Sequence, residues 1–346
     1  MNEICIILTS VGGLVAPGII KSLKTEGIKN NERIFIVGVD MQKDAVGFHF
    51  VDKSYVVPKG NSKNYTSVLM EIAEKNDINV IIPCSDEELL SISKEKDKFV
   101  KKGIIPICSD YETVYKANDK GLMLEFLKEK NIRVPRFCLP KNIEEIKEVA
   151  KEFGYPHNPF VVKPRLARGG RGFKIVKERS DFFDSRNSSI KLRHLIDVLE
   201  DYEEFPEIVL MEYLPGEEYS VDALAYNGEP LYIIPRKRIK ALGGPSIVGE
   251  VVQNDDVKSM VSKIIKTFGF HLNANIQLKY SIEKVPLVYE INPRVSGTIV
   301  ANDAAGVNLL YYGIKLAMGQ EIPKYKPIRN VKMLRYFEEV FIHEQK

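Results

Sequence analysis

Four short apolar runs, each separated from the next by helix-spaced sequence, constrain the first third of the chain more than any other feature. They are Ile4 to Leu8, Ile34 to Val39 (ending on Asp40), Val80 to Ile82, and Ile104 to Ile107. Between them lie a helical pattern through Ile20 and Leu23, then Tyr65 to Lys75 and Glu87 to Val100. Strands that are apolar on both faces and alternate with helices form a parallel sheet with helices packed on it. Residues 1–111 are therefore expected to form a Rossmann-like domain. The whole chain, at 346 residues, is too long for one core and predicts two or three domains.

The turn after the first strand holds glycines at 12, 13 and 18, so the G-x-G-x-x-G dinucleotide fingerprint is absent. Gly12-Gly13 then either admits the chain to its helix or presents free amides to an anionic substrate group. Pro83-Cys84-Ser85-Asp86 lies at the carboxyl end of a strand, where open α/β sheets place ligands; Ser85 or Asp86 equally suits a helix cap.

Charge excludes some function classes. The chain has 50 basic and 47 acidic residues, net +3, with no dominant block of one sign, so neither nucleic acid nor an anionic membrane is expected as a partner. Four dispersed cysteines without a C-x-x-C pair argue against structural zinc and disulfides, and fit a reducing cytoplasm. No apolar run reaches membrane-spanning length, and Met1-Asn2-Glu3 is acidic where a signal peptide is basic. The five histidines are scattered and make no nucleophile–base constellation.

Basic residues that matter must then act singly. Lys120 sits in the first turn of a helix opened by Asn118-Asp119, a poor place for a cation unless an anion shares it. Lys163 ends the apolar strand Phe160 to Pro164, and Arg165-Leu166-Ala167-Arg168-Gly169-Gly170-Arg171-Gly172 follows before an extended pattern resumes at Phe173. Such a loop either closes backbone amides on a polyphosphate or is an ordinary glycine hairpin with solvated arginines. It lacks Walker A spacing. Glu212 and Glu218 bracket the bend Leu214-Pro215-Gly216, which is either a solvated turn or a pair of site carboxylates. In Leu287 to Thr298 the alternation puts Glu290, Asn292 and Arg294 on one strand face. A carboxylate and an amide oxygen suit Mg²⁺, and a guanidinium beside them suits phosphate; the alternative is a solvated face. Arg236, Lys237, Arg238 and Lys240 precede a glycine loop ending at Ser246. Arg236 or Arg238 is the candidate for binding a substrate carboxylate, with Ser246 and Glu250 as further candidates at the acyl site; a solvated edge strand is the alternative.

The order of these features resembles the ATP-grasp superfamily, specifically the synthetase halves of the carbamoyl phosphate synthase large chain and their short relatives. The resemblance runs from about residue 1 to residue 320 and is most specific from Glu290 to Gly319. It implies an α/β and α+β architecture: a Rossmann-like pre-ATP-grasp domain (1–111), a linking helix (112–133), a lid with the glycine hairpin (134–208), and a catalytic subdomain (209–346). It also implies roles for residues. Lys120 and Lys163 contact nucleotide phosphates, and Arg168, Gly169, Gly170, Arg171 and Gly172 form the loop above them. Glu212 and Leu214 receive adenine and Glu218 the ribose. Gln277, Glu290 and Asn292 ligate two Mg²⁺ ions, with Mn²⁺ able to substitute, and Arg294 steadies the transferring phosphoryl group.

The implied reaction is ADP-forming ligation of a small carboxylate to an amine through an acyl phosphate, with room for a homodimer. The chain holds one synthetase unit, so carbamoyl phosphate synthesis itself is not expected. Phosphoryl transfer without ligation and a non-catalytic nucleotide sensor are the rival readings; a dehydrogenase stands last. The segment from Glu321, with its apolar run Val331 to Tyr336, either closes the last domain or packs on a partner.

Overall fold

The computed structural model describes residues 2–166, 172–179, 189–242, 244–324 and 328–342. β1 (Asn2–Thr9), β2 (Glu32–Asp40), β3 (Lys53–Val56), β4 (Val80–Ile82) and β5 (Ile105–Pro106) form a wholly parallel sheet in the order β3-β2-β1-β4-β5. The predicted runs are thus strands, and the topological switch falls between β1 and β4. The period of two divides β1 cleanly. Ile4, Ile6 and Leu8 join one core cluster, whereas Ile7 joins another with Tyr65, Leu69 and Phe99.

The first of those clusters reaches far along the chain. It also contains Leu309, Leu310 and Ile314 of the helix Leu309–Ala317, so the first sheet and the end of the chain share one core. Polar contacts reinforce this join: Tyr311 and Lys315 both reach Glu32, each at 2.5 Å. Burial would raise the Glu32 carboxyl, yet those two partners hold it below its ordinary value.

β6 (Phe137–Cys138), β7 (Phe160–Pro164), β8 (Lys174–Val176), β9 (Ser189–Ile190) and β10 (Ile208–Glu212) make a second sheet, ordered β6-β10-β7-β8-β9. β10 pairs antiparallel with β7, setting Val209 opposite Lys163 and Glu212 opposite Phe160. Residues 209–212, expected after the boundary at 208, therefore pair within the second sheet. An apolar run shows that a strand exists but not which sheet accepts it. Of the glycine loop, Arg168, Gly169, Gly170 and Arg171 lie outside the described residues. Gly172 has φ +71°, and a Cβ there would stand 2.6 Å from Pro164, so only glycine fits.

β11 (Glu218–Tyr226), β12 (Glu229–Ala241), β13 (Ser246–Val251), β14 (Leu272–Tyr280), β15 (Pro286–Asn292) and β16 (Val331–Leu334) make the third sheet, ordered β15-β14-β11-β12-β13-β16. All its pairings are antiparallel. The apolar run near the C-terminus thus pairs with β13. Helix Asp255–Phe268 covers one face of this sheet, capped by the Asn254 side chain on the Val257 amide and closed by Gly269 in the left-handed region.

Candidate functional site

A cleft of about 920 Å³ opens where the three sheets meet. Most of the described candidate residues line it, and Arg236 and Glu250 do not. The cleft brings together Lys120, Lys163, Gly172, Glu212, Leu214, Glu218, Arg238, Ser246, Gln277, Glu290, Asn292 and Arg294, which span 175 positions of sequence.

The two lysines enter on different elements. Asp119 caps the helix Lys120–Glu129, accepting from the Gly121 amide at 2.8 Å and the Leu122 amide at 3.1 Å. Its carboxylate also accepts from Arg165 at 2.7 and 3.1 Å. That pair fixes the buried Lys120 at the mouth of β7. Lys163 is buried on β7, with its ammonium 4.3 Å from the centre of the Tyr289 ring. Burial pushes this lysine down to about 8; Glu290 and Glu218 oppose the fall, while Lys120 and Arg238 add to it. A buried cation beside other cations is costly unless an anion joins it.

Glu212 closes β10, where its carboxylate accepts from the Arg136 amide and Nε, each at 2.9 Å. Leu214, two residues on, is buried against the cleft. Glu218 opens β11, accepts from Tyr289 Oη at 2.8 Å and forms an ion pair with Arg238 Nη1 at 2.6 Å.

The edge strand β15 carries the densest chemistry. Gln277 on β14 stands opposite Glu290, and Asn275 opposite Asn292. Beyond Gln277 the register slips: Leu278 pairs with Val288, leaving Tyr289 as the extra residue of a β-bulge. Strict alternation would turn Tyr289 away from the face that carries Glu290. The bulge lets both line the cleft, and Tyr289 Oη donates to Glu218 and lies 2.9 Å from Gln277 Oε1. Burial raises its phenol well above the ordinary value, so it stays a neutral donor. Sequence patterning missed Tyr289 because a bulge leaves no periodic mark.

Glu290, Asn292 and Arg294 form a short chain of bonds. Asn292 Nδ2 donates to Glu290 at 3.3 Å, and Arg294 Nη2 donates to Asn292 Oδ1 at 3.2 Å. Arg294 also makes a two-point ion pair with Asp86 in the first sheet's loop, Nε to Oδ1 at 2.7 Å and Nη2 to Oδ2 at 3.3 Å. Asp86 was legible only as a cap or a ligand-end residue; its partner lies 208 positions away.

The structure separates the two candidate substrate arginines. Arg238 lines the cleft, donating to Ser246 Oγ at 3.1 Å and Gln277 at 3.1 Å. Burial alone would lower its guanidinium, but Tyr289, Glu218 and Glu290 raise it on balance. Arg236 is fully buried and outside the cleft lining. It donates to Asp222 Oδ2 at 2.7 Å and to Ser220 and Ser296 at 3.2 and 3.3 Å. Its charge is spent on a carboxylate of the fold. Glu250 pairs with Lys332 at 3.5 Å and is likewise outside the lining.

Asp40 accepts the Gly12 amide at 2.7 Å and the Gln42 amide at 2.9 Å, occupying both of its oxygens. Among the described residues no cluster of three His, Cys, Asp or Glu forms a metal site. Glu290, Asn292 and Gln277 are instead hard oxygen donors of the kind Mg²⁺ takes when a nucleotide supplies the remaining ligands. Glu290 suits such an ion; the Asn292 oxygen also accepts from Arg294, and the Gln277 oxygen is within bonding distance of Arg238 and Tyr289. No described helix is long and apolar enough to cross a membrane.

Comparisons with known proteins agree with this architecture. Residues 204–340 match the family "ATP-grasp in the biosynthetic pathway with Ter operon". Residues 6–107 match "PylC-like, N-terminal domain", and residues 119–195 match "Carbamoyl-phosphate synthase L chain, ATP binding domain". A carbamoyl-phosphate synthase of Methanobrevibacter smithii is 25% identical over 299 residues, 81% of this chain and 74% of that protein. The chain spans little more than a quarter, 28%, of a carbamoyl phosphate synthase large chain from the same organism. Among solved structures, the biotin carboxylase domain of Hydrogenobacter thermophilus 2-oxoglutarate carboxylase, in complex with MgADP and bicarbonate, matches with TM-score 0.69 at 18% identity. That match covers 94% of this chain and 72% of that one. An L-amino acid ligase from Bacillus licheniformis matches with TM-score 0.64 at 15% identity, covering 91% and 74%. An ATP-grasp profile matches most of the third sheet and carbamoyl phosphate synthase relatives match along most of the chain's length, so the chain is similar to ATP-grasp proteins.

Proposed function

We propose that the protein is an ATP-dependent, ADP-forming ligase that joins a small carboxylate, an amino acid or related acid, to an amine. The observation that carries this reading is the cleft in which Lys120 from a helix, Lys163 from the second sheet, and Glu290, Asn292 and Arg294 from the third sheet and the loop after it converge. A carboxylate cannot expel oxide. Transfer of the ATP γ-phosphoryl group to one carboxylate oxygen gives an acyl phosphate, whose phosphate leaves when the amine attacks the carbonyl carbon.

The residues divide that work. Leu214 and Glu212 line the adenine end and Glu218 the ribose. Lys120 and Lys163 bind phosphate oxygens, Lys163 gaining the anion that its buried charge lacks. Glu290 and Asn292 would hold Mg²⁺, with Gln277 joining once Arg238 and Tyr289 release its oxygen. Two ions, or Mn²⁺ in their place, would neutralise charge on the β- and γ-phosphates. Arg294 faces the transferring phosphoryl group, and Arg238 with Ser246 faces the acyl end. Gly172, held beside Pro164, leads into β8, which would roof the phosphates. The setting is cytoplasmic, the substrates are small molecules, and a homodimer is compatible with it.

An ADP-release assay with pooled carboxylates and amines tests the proposal. Activity that needs both pools and MgATP is expected. Release of AMP and pyrophosphate would rule out the acyl phosphate, and a stable phosphorylated product formed without amine would favour simple phosphoryl transfer.

A further inference from the structure

We infer that Asp86, supplied by the first sheet, is the positioning residue for Arg294, and that the Rossmann-like domain thereby sets the geometry of phosphoryl transfer. The inference rests on the ATP-grasp reading of Arg294. Asp86 is the first residue of the helix Asp86–Lys94, at the carboxyl end of β4 and beside the topological switch. It reaches out of its own domain to a guanidinium on the loop after β15, and both side chains are largely buried, 8% and 17% exposed.

Donor arithmetic shows what the pair does. A guanidinium has five N–H donors in one plane. In Arg294 the Nε hydrogen goes to Asp86 Oδ1, and the two on Nη2 serve Asp86 Oδ2 and Asn292 Oδ1. One on Nη1 goes to the Val295 carbonyl at 3.0 Å. Among the described residues, the fifth, on Nη1, is left for a ligand. The fork on Asp86 fixes both the plane of the group and the edge turned to the cleft. Coulombic attraction alone would fix neither, and a charge-neutralising partner beside a phosphate-binding arginine makes sense only if orientation outweighs lost potential.

Asp86 is itself held. Its neighbour Ser85 donates to Glu88 at 2.8 Å, and the same Glu88 oxygen accepts from Thr9 at 2.6 Å and Ser10 at 2.7 Å at the end of β1. The loops after β1 and β4 are thus tied together behind the carboxylate that holds Arg294. The first domain contributes more than a packing surface: it anchors the transfer centre.

The test compares Asp86→Asn, Arg294→Ala and the double variant in two readouts. The first is steady-state turnover with the carboxylate–amine pair found by ADP release. The second needs no acceptor: the gain in ADP affinity when aluminium fluoride is added as a mimic of the transferring phosphoryl group. Asp86→Asn is expected to lower kcat by about 10- to 100-fold, the scale for a misplaced catalytic group, with KM for ATP within about twofold. It should also erase most of the aluminium fluoride gain while leaving affinity for MgADP alone unchanged. In the Arg294→Ala background, Asp86→Asn should cost nothing further. Multiplying effects, or an Asp86→Asn enzyme that keeps the wild-type aluminium fluoride gain, would overturn the inference. Arg294→Ala with full activity would instead overturn the reading of Arg294 on which it rests. A loss of MgADP binding in Asp86→Asn would assign Asp86 a general structural role and also overturn it.

Discussion

Replacing Lys163 with methionine should stabilise the ligand-free protein while abolishing its response to ATP. The lysine is buried, and burial brings its ammonium down to about 8 from an ordinary value near 10.5. Because the folded value is depressed, the charged lysine disfavours folding below pH 8. That penalty fades between about 8 and 10.5 and is gone above both values. A difference of about 2.5 pH units at about 1.4 kcal/mol each makes the cost about 3 kcal/mol at pH 7. Methionine keeps the length and the contact with the Tyr289 ring but removes the charge. Chemical denaturation at pH 7 should therefore find Lys163→Met more stable by up to about 3 kcal/mol, with the two proteins converging as pH approaches 10.5. Added MgATP should then stabilise the wild type and leave the variant nearly unmoved. Calorimetry at pH 8.5 in buffers of different ionisation enthalpy should also show ATP binding coupled to proton uptake in the wild type only. A variant no more stable than wild type at pH 7, or one that keeps full ATP stabilisation, would refute the reasoning.

Four further substitutions separate site from scaffold. Tyr289→Phe removes the hydroxyl that serves Glu218 and Gln277; steady-state kinetics should show KM for ATP raised about 5- to 30-fold, the equivalent of about 1–2 kcal/mol, with a smaller change in kcat. Glu290→Ala should remove Mg²⁺-dependent turnover by more than about a thousandfold, measured by ADP release, and full activity in that variant would sink the metal assignment. Arg236→Met leaves Asp222 as a buried, unpaired carboxylate and should cost about 3–5 kcal/mol in denaturant melts. Arg238→Ala, by contrast, should cut turnover with a much smaller loss of stability; the opposite pattern would restore Arg236 as the substrate ligand.

Much of this was legible before any coordinates, for reasons that differ by element. The parallel sheet announced itself because β1, β2 and β4 are largely buried and read as apolar runs, whereas the exposed edge strand β3 gave no such run. Glu290 and Asn292 were legible because the period of two puts them on one face of β15, whereas the strand ends at Asn292 and leaves Arg294 on the loop that follows. Long-range pairing was not. No local signal ties Asp86 to Arg294, or Glu32 to Lys315, since those contacts follow from how separate layers dock. Tyr289 was hidden by a bulge, which inverts a face without altering composition. Arg236 and Arg238 look equivalent two residues apart on one strand. Only the depth of the buried carboxylate Asp222 beneath that strand tells them apart. Register and sheet membership, as with β10, depend on neighbours that the strand's own residues do not name.

The acyl phosphate is the central claim, and oxygen transfer tests it most directly. The enzyme would be supplied with MgATP, an amine pool and carboxylates labelled with ¹⁸O in both oxygens, and the released inorganic phosphate analysed by ³¹P NMR. Activation by phosphorylation predicts ADP as the nucleotide product and one ¹⁸O atom in each phosphate released during ligation. Unlabelled phosphate, or label appearing in AMP, would contradict it.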